Sequence, residues 1–182
     1  MGKVVGITHR RNLSILKVRA KKILPGTKRG DSIACNGVCL TVRDIDRGRI
    51  VCDMMRETVL RTTLGTLRPS EKVNLERALK AHSRFHGHFV TGHVDGVGTI
   101  VQRIEKKNYV ELSVRCERSP AKYLVPKGSV TIDGVSLTIG KIKGNMFSVH
   151  LIPFTLKVTT LGRKGKGEKV NIETDILAKY VV

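Results

Sequence analysis

Ser32-Ile33-Ala34-Cys35-Asn36-Gly37-Val38-Cys39-Leu40-Thr41-Val42 returns 97 residues later as Ser129-Val130-Thr131-Ile132-Asp133-Gly134-Val135-Ser136-Leu137-Thr138-Ile139. In both copies apolar residues alternate around a two-residue Asn-Gly or Asp-Gly step, the signal of a β-hairpin closed by a type I′ turn. At the same offset and without a gap, Thr62-Thr63-Leu64-Gly65 meets Thr159-Thr160-Leu161-Gly162, and Glu71-Lys72-Val73-Asn74-Leu75-Glu76 meets Glu168-Lys169-Val170-Asn171-Ile172-Glu173. Between residues 30 and 76, 16 of 47 positions are identical to those 97 further on, which chance does not produce. A long unit present twice predicts two tandem domains of like fold, since a solenoid needs three or more shorter repeats.

Each unit reads as β. Beyond the hairpins, strands are predicted at 50–54, 72–75, 110–114, 147–152 and 169–172 from short apolar runs between turn residues. Many short strands with Gly-rich turns predict an all-β fold of two small barrels, because closure removes exposed edges. A helix is predicted at 175–181, with Asp175 near its N-terminus. The expected division is a first barrel at 1–87, a second at 88–174 and the helix at 175–182, with residues 77–88 bridging the barrels.

The chain has 182 residues, 34 Lys and Arg against 15 Asp and Glu, and a net charge of +19. A 40% hydrophobic content is enough for a core. Apolar runs fall far short of the roughly 20 residues that span a bilayer, and no secretory signal is visible, so no membrane partner and a cytoplasmic location are expected. Cys35, Cys39, Cys52 and Cys116 lack zinc-ribbon pairing and are expected as reduced thiols. The positive charge raises nucleic acid as a partner. However, it is spread along the chain, and with no Trp, three Tyr and four Phe the stacking platforms of single-strand binders are scarce. A solvated basic surface is the favoured reading.

Asn36-Gly37-Val38-Cys39-Leu40-Thr41-Val42, Val73-Asn74-Leu75-Glu76-Arg77-Ala78, Gly87-His88-Phe89-Val90-Thr91-Gly92-His93-Val94-Asp95, Lys127-Gly128-Ser129 and Leu151-Ile152-Pro153 stand in an order and spacing that resembles the riboflavin synthases. The resemblance runs over essentially the whole chain. It implies two six-stranded Greek-key barrels with a C-terminal helix, a homotrimer, and association with lumazine synthase. It also implies a transferase that dismutates two molecules of 6,7-dimethyl-8-ribityllumazine to riboflavin and 5-amino-6-ribitylaminouracil, with no metal or redox cofactor. Duplication suits that chemistry, because two copies of one substrate need two similar pockets.

By the same resemblance, ring-binding positions fall on Cys39, Leu40 and Thr41, on Asp53-Met54-Met55-Arg56-Glu57-Thr58, on Gly92-His93-Val94, on Lys127, on Ser136-Leu137-Thr138 and on His150-Leu151-Ile152-Pro153-Phe154-Thr155. Such Ser, Thr and turn-flanking positions can present hydroxyls and backbone groups to a pterin edge. Ser32, Cys39, His93, Ser136, Thr138 and Asp175 are implied nearest the chemistry. His93 is the candidate for proton transfer, since imidazole titrates near neutrality, and Cys39 or Ser136 the candidate to bind or assist addition.

Blander readings stand beside these. Cys39 and Ser136 suit small half-buried strand positions. His82, His86, His88 and His93 have spacings awkward for one strand and lack a carboxylate partner, which speaks against metal. Thr62-Thr63 and Thr159-Thr160 suit turn capping, and Asn74-Leu75-Glu76 with its copy suits a structural role. Gly162-Arg163-Lys164-Gly165-Lys166-Gly167 lacks phosphate-loop spacing.

Gly2-Lys3-Val4 aligns with Gly98-Thr99-Ile100, leaving Phe89 through Gly96 without a counterpart. Relatives carry a Phe-Thr-Gly-Ile segment there. The expectation is therefore either a start further upstream or a first barrel short of half a strand, with unpaired ladder groups. A non-catalytic lumazine- or flavin-binding protein is the alternative function.

Overall fold

The structure, a computed structural model, describes residues 1–181. Val182, the last position of the expected 175–182 segment, lies outside the described residues. The first repeat forms β1 (Gly2–Thr8), β2 (Leu13–Arg19), β3 (Ser32–Cys35), β4 (Val38–Asp46) and β5 (Arg49–Met55), then α1 (Arg56–Arg61), a 3-10 turn at Thr63–Thr66, β6 (Lys72–Val73) and β7 (Leu75–Arg77). The second forms β8 (Gly96–Glu105), β9 (Val110–Arg115), α2 (Arg118–Ala121), β10 (Ser129–Ile132), β11 (Val135–Lys143) and β12 (Met146–Leu151). It continues through α3 (Pro153–Val158), a 3-10 turn at Thr160–Gly162 and β13 (Lys169–Thr174), and α4 (Ile176–Val181) is the last described element.

The second repeat is a closed six-stranded antiparallel barrel in the order β10-β11-β12-β9-β8-β13. Placing β9 beside β12 and β10 beside β13 is a Greek-key connection. The first repeat follows the same order, β6-β1-β2-β5-β4-β3-β7, with its last strand divided at Asn74. In the second barrel β13 pairs with β8 from Lys169 to Ile172, whereas in the first the matching ladder stops at Val73 opposite Gly2. Leu75–Arg77 then pairs with β3 alone among the described residues.

Both hairpins have the predicted turn. Asn36 and Gly37 take φ of 45° and 77°, and Asp133 and Gly134 take 47° and 80°, the left-handed pair a type I′ turn requires. Irregular register recurs at matched places, Val4/Gly6 with Ile100/Gln102 and Val42/Asp44 with Ile139/Ile142, bending the strands to close each barrel. Each barrel has its own core, one including Leu16, Ile33, Met54 and Leu64, the other Leu112, Ile132, Phe147 and Leu161.

The two turn tips meet. A Cβ on Gly37 would lie 2.6 Å from Gly134 N, and one on Gly134 would lie 2.8 Å from Gly37 N, so side chains are excluded at this contact. Around it the repeats exchange equivalent hydrogen bonds. Asn74 Nδ2 donates to Asp133 O at 2.9 Å and Asn171 Nδ2 donates to Asn36 O at 2.8 Å. Thr160 N donates to Asn74 Oδ1 at 2.8 Å, as Thr63 N does to Asn171 Oδ1 at 2.7 Å. The repeated Asn and Thr residues therefore build a pseudo-twofold seam, beyond the turn capping and local structural roles expected of them.

No helix among the described residues is long and apolar enough to cross a membrane. The two short helices α1 and α3, absent from the sequence-based expectation, span six residues each, too few for helical periodicity to register.

Candidate active site

A cavity of about 340 Å3 opens along one side of the seam. Ser32, Cys39 and Glu76 reach it from the first barrel, His88 and Gly92 from the bridging segment, which runs over 78–95 between β7 and β8 and not only to 88, and Ser136 from the second barrel. Three residues implied by the resemblance to lie near the chemistry thus share one space. A second cavity of about 510 Å3 shares Glu76, His86 and Ser136 with the first and extends to Phe154 and Thr155.

The bridging segment is fixed from both sides. Glu173 accepts from Thr91 N at 2.6 Å, Thr91 Oγ1 at 2.7 Å and Gly92 N at 2.9 Å. From the first barrel, Cys39 N donates to Gly92 O at 2.9 Å. Gly92 has φ +81° and a Cβ there would stand 2.6 Å from that of Cys39, so the close approach requires glycine. Cys39 is the exposed thiol of the four. Burial pushes Cys52 up to about 12 and Cys35 higher still, which keeps both as neutral thiols.

His88 is the residue the sequence reading undervalued. Its Nδ1 lies 2.8 Å from Ser136 Oγ and its Nε2 3.1 Å from Thr131 Oγ1. Burial lowers its pKa below the usual 6.5, opposed by the carboxylates of Asp175 and Glu173. The imidazole is therefore neutral near pH 7, with one ring nitrogen donating and the other accepting. Asp175, expected near the chemistry, also receives Leu177 N at 3.0 Å and so starts α4. Sequence spacing gave no signal for this arrangement beyond the presence of a histidine, because Thr131 and Ser136 approach residue 88 through the fold of the second barrel.

Other expected positions are more dispersed. His93 is exposed, with its backbone N donating to Thr91 Oγ1 at 3.3 Å. Thr41 and Thr138 are exposed, opposite Ser32 and Ser129 in their hairpins. Asp53 pairs with Arg43 at 3.0 Å, and its repeat partner His150 lies 3.5 Å from Glu111 and edge-on to Tyr109. Lys127 is exposed at φ +64°. None of these six lines either cavity. Leu40, Met54 and Leu151 turn their side chains into the barrel cores, which leaves their main-chain groups for any ligand contact. Val94 packs on the first core and Leu137 on the second. Met55, Ile152 and Phe154, at 64%, 58% and 69% exposure, present apolar surface, and Arg56, Glu57 and Pro153 are exposed beside them with Thr58 partly covered.

Among the described residues no three His, Cys, Asp or Glu side chains converge as a metal site requires.

The lumazine binding domain family matches this chain twice, at residues 1–78 and 91–175. A riboflavin synthase of Bacillus subtilis (strain 168) is 47% identical over 166 residues, covering 91% of this chain and 77% of that protein. A riboflavin synthase of Actinobacillus pleuropneumoniae is 41% identical over 181 residues, covering 100% and 84%. Among solved structures, LumP complexed with riboflavin superposes with a TM-score of 0.87 at 25% identity over 95% of this chain and 94% of that one.

Proposed function

The chain belongs to the riboflavin synthase family, and on that premise we propose how its geometry serves the dismutation of two 6,7-dimethyl-8-ribityllumazine molecules by transfer of a four-carbon unit. The observation that carries the reading is the equivalence of the two barrels around the seam, which sets Cys39 and Ser136 at matching positions. One reaction that consumes two copies of a substrate calls for two like sites. Holding both pterins in reacting geometry replaces a bimolecular encounter, worth roughly 7–11 kcal/mol of the barrier.

The products are riboflavin and 5-amino-6-ribitylaminouracil. Neutral His88 orients the Ser136 hydroxyl, which can then donate to or accept from a ring edge at a fixed angle. Exposed His93 exchanges protons with the substrate methyl groups, and Cys39 offers its thiol beside the ring. Phe154, Ile152 and Met55 supply apolar surface to the pterin faces. The exposed apolar residues Leu177 and Tyr180 of α4 support assembly into a homotrimer in the cytoplasm, in which the first barrel of one subunit faces the second barrel of its neighbour. Association with lumazine synthase would deliver substrate directly.

The test is incubation of the purified chain with 6,7-dimethyl-8-ribityllumazine while ligand fluorescence and riboflavin are followed. Riboflavin in catalytic excess over protein is the expected result. Tight binding of the lumazine without product would replace this reading by a lumazine-holding protein, the function suggested by likeness to LumP.

A further inference from the structure

A third cavity, of about 570 Å3, is built from side chains that none of the proposed chemistry uses. Thr63 and Thr160, and Lys72 and Lys169, contribute to it as repeat-related pairs, so it straddles the pseudo-twofold axis. The second repeat adds Arg163 and Lys164 where the first has Thr66 and Leu67. The second repeat thus adds one unmatched positive charge here, Arg163, since Lys164 pairs with Asp133, which stands where the first repeat has Asn36.

Four cations line the cavity with two carboxylates, Glu71 and Glu168. Glu168 accepts from Gly165 N at 2.6 Å, and Lys164 is committed to the fully buried Asp133 at 3.0 Å. Lys72, Lys169 and Arg163 form no ion pair among the described residues.

We propose that this seam cavity binds a small phosphate-bearing anion, with Lys72, Lys169 and Arg163 around its charge. Tetrahedral phosphate oxygens accept from several directions at once, which suits cations that line the cavity from both repeats. The cavity exceeds a single phosphate ion, so a phosphate ester or a diphosphate fits it better. This site lies apart from the two cavities described above and does not rest on the reaction assigned to them.

Calorimetric titration of the intact chain with inorganic pyrophosphate at low ionic strength tests this. One pyrophosphate per chain is expected to bind saturably. The Lys72→Ala/Lys169→Ala double variant should weaken the dissociation constant about tenfold or more. Lys17→Ala, on the exposed side of β2, should leave it unchanged. Should the double variant lower the melting temperature without pyrophosphate, Arg163→Thr carries the same test, because it installs the residue of the first repeat. No saturable binding, or equal loss in Lys17→Ala, would overturn the proposal in favour of diffuse attraction to a chain of +19 charge.

Discussion

Asp133 stands where the first repeat has Asn36, and the side chain paired with it, Lys164, stands where the first repeat has Leu67. These two changes are chemically one. Asp133 is fully buried and burial raises its pKa above 3.8, while Lys164 at 3.0 Å and Asn171 N pull it back. Lys164→Leu leaves an uncompensated buried carboxylate and should cost about 3–5 kcal/mol in urea denaturation. Asp133→Asn combined with Lys164→Leu restores the chemistry of the first repeat and should recover most of that loss. The pH dependence has a definite sign. Without Lys164 the folded-state pKa of Asp133 rises further above its unfolded value, so the folded state binds the proton more tightly. The deficit of Lys164→Leu should be largest near neutrality and shrink as pH falls toward 4. A deficit independent of pH would show that the pair contributes by packing instead. Such a dependence was not legible in the sequence, where Lys164 read as part of a basic loop.

At the scale of elements, Glu173 and Glu76 are identical in the repeat but not in their work. Glu173 accepts three hydrogen bonds from residues 91–92, whereas Glu76 has no side-chain partner among the described residues and burial raises its pKa. Glu173→Ala should cost about 3 kcal/mol or more, since bonds to a charged group are worth about 1.5–3 kcal/mol each. Amide exchange at Thr91 and Gly92 should accelerate with it. Glu76→Ala should change stability by less than about 1 kcal/mol. The hairpins behind this contrast were readable, because Asn-Gly and Asp-Gly admit few turn geometries and alternation fixes which face is buried. The division of the last strand of the first barrel at Asn74 was not legible, since 72–75 reads as one strand. The site was less readable. Leu40, Met54 and Leu151 belong to motifs expected to touch a ring, yet alternation along β4, β5 and β12 sends their side chains to the cores. His88 gains its role from partners 43 and 48 residues away, a proximity that no local spacing encodes.

For the whole molecule, two separate cores joined at a small polar seam raise the question of how far the barrels unfold together. Asn74 and Asn171 each use both ends of the side-chain amide across the axis. Replacing either by Ala strands a backbone N–H and a carbonyl, at about 1–3 kcal/mol for each buried group left unpaired. Packing at the Gly37–Gly134 contact cannot compensate, because two glycines bury little apolar area. Asn74→Ala/Asn171→Ala should therefore separate one cooperative transition into two in calorimetry, one per barrel. Leu64→Ala and Leu161→Ala, each removing a fully buried core side chain, should cost about 2–5 kcal/mol. In the seam variant each should shift one transition alone, and in the parent each should shift the single transition. If the seam variant still melts in one step, coupling resides in the bridging segment, where Gly92 meets Cys39 and His88 meets Ser136, and the same contacts that shape the candidate site then hold the barrels together.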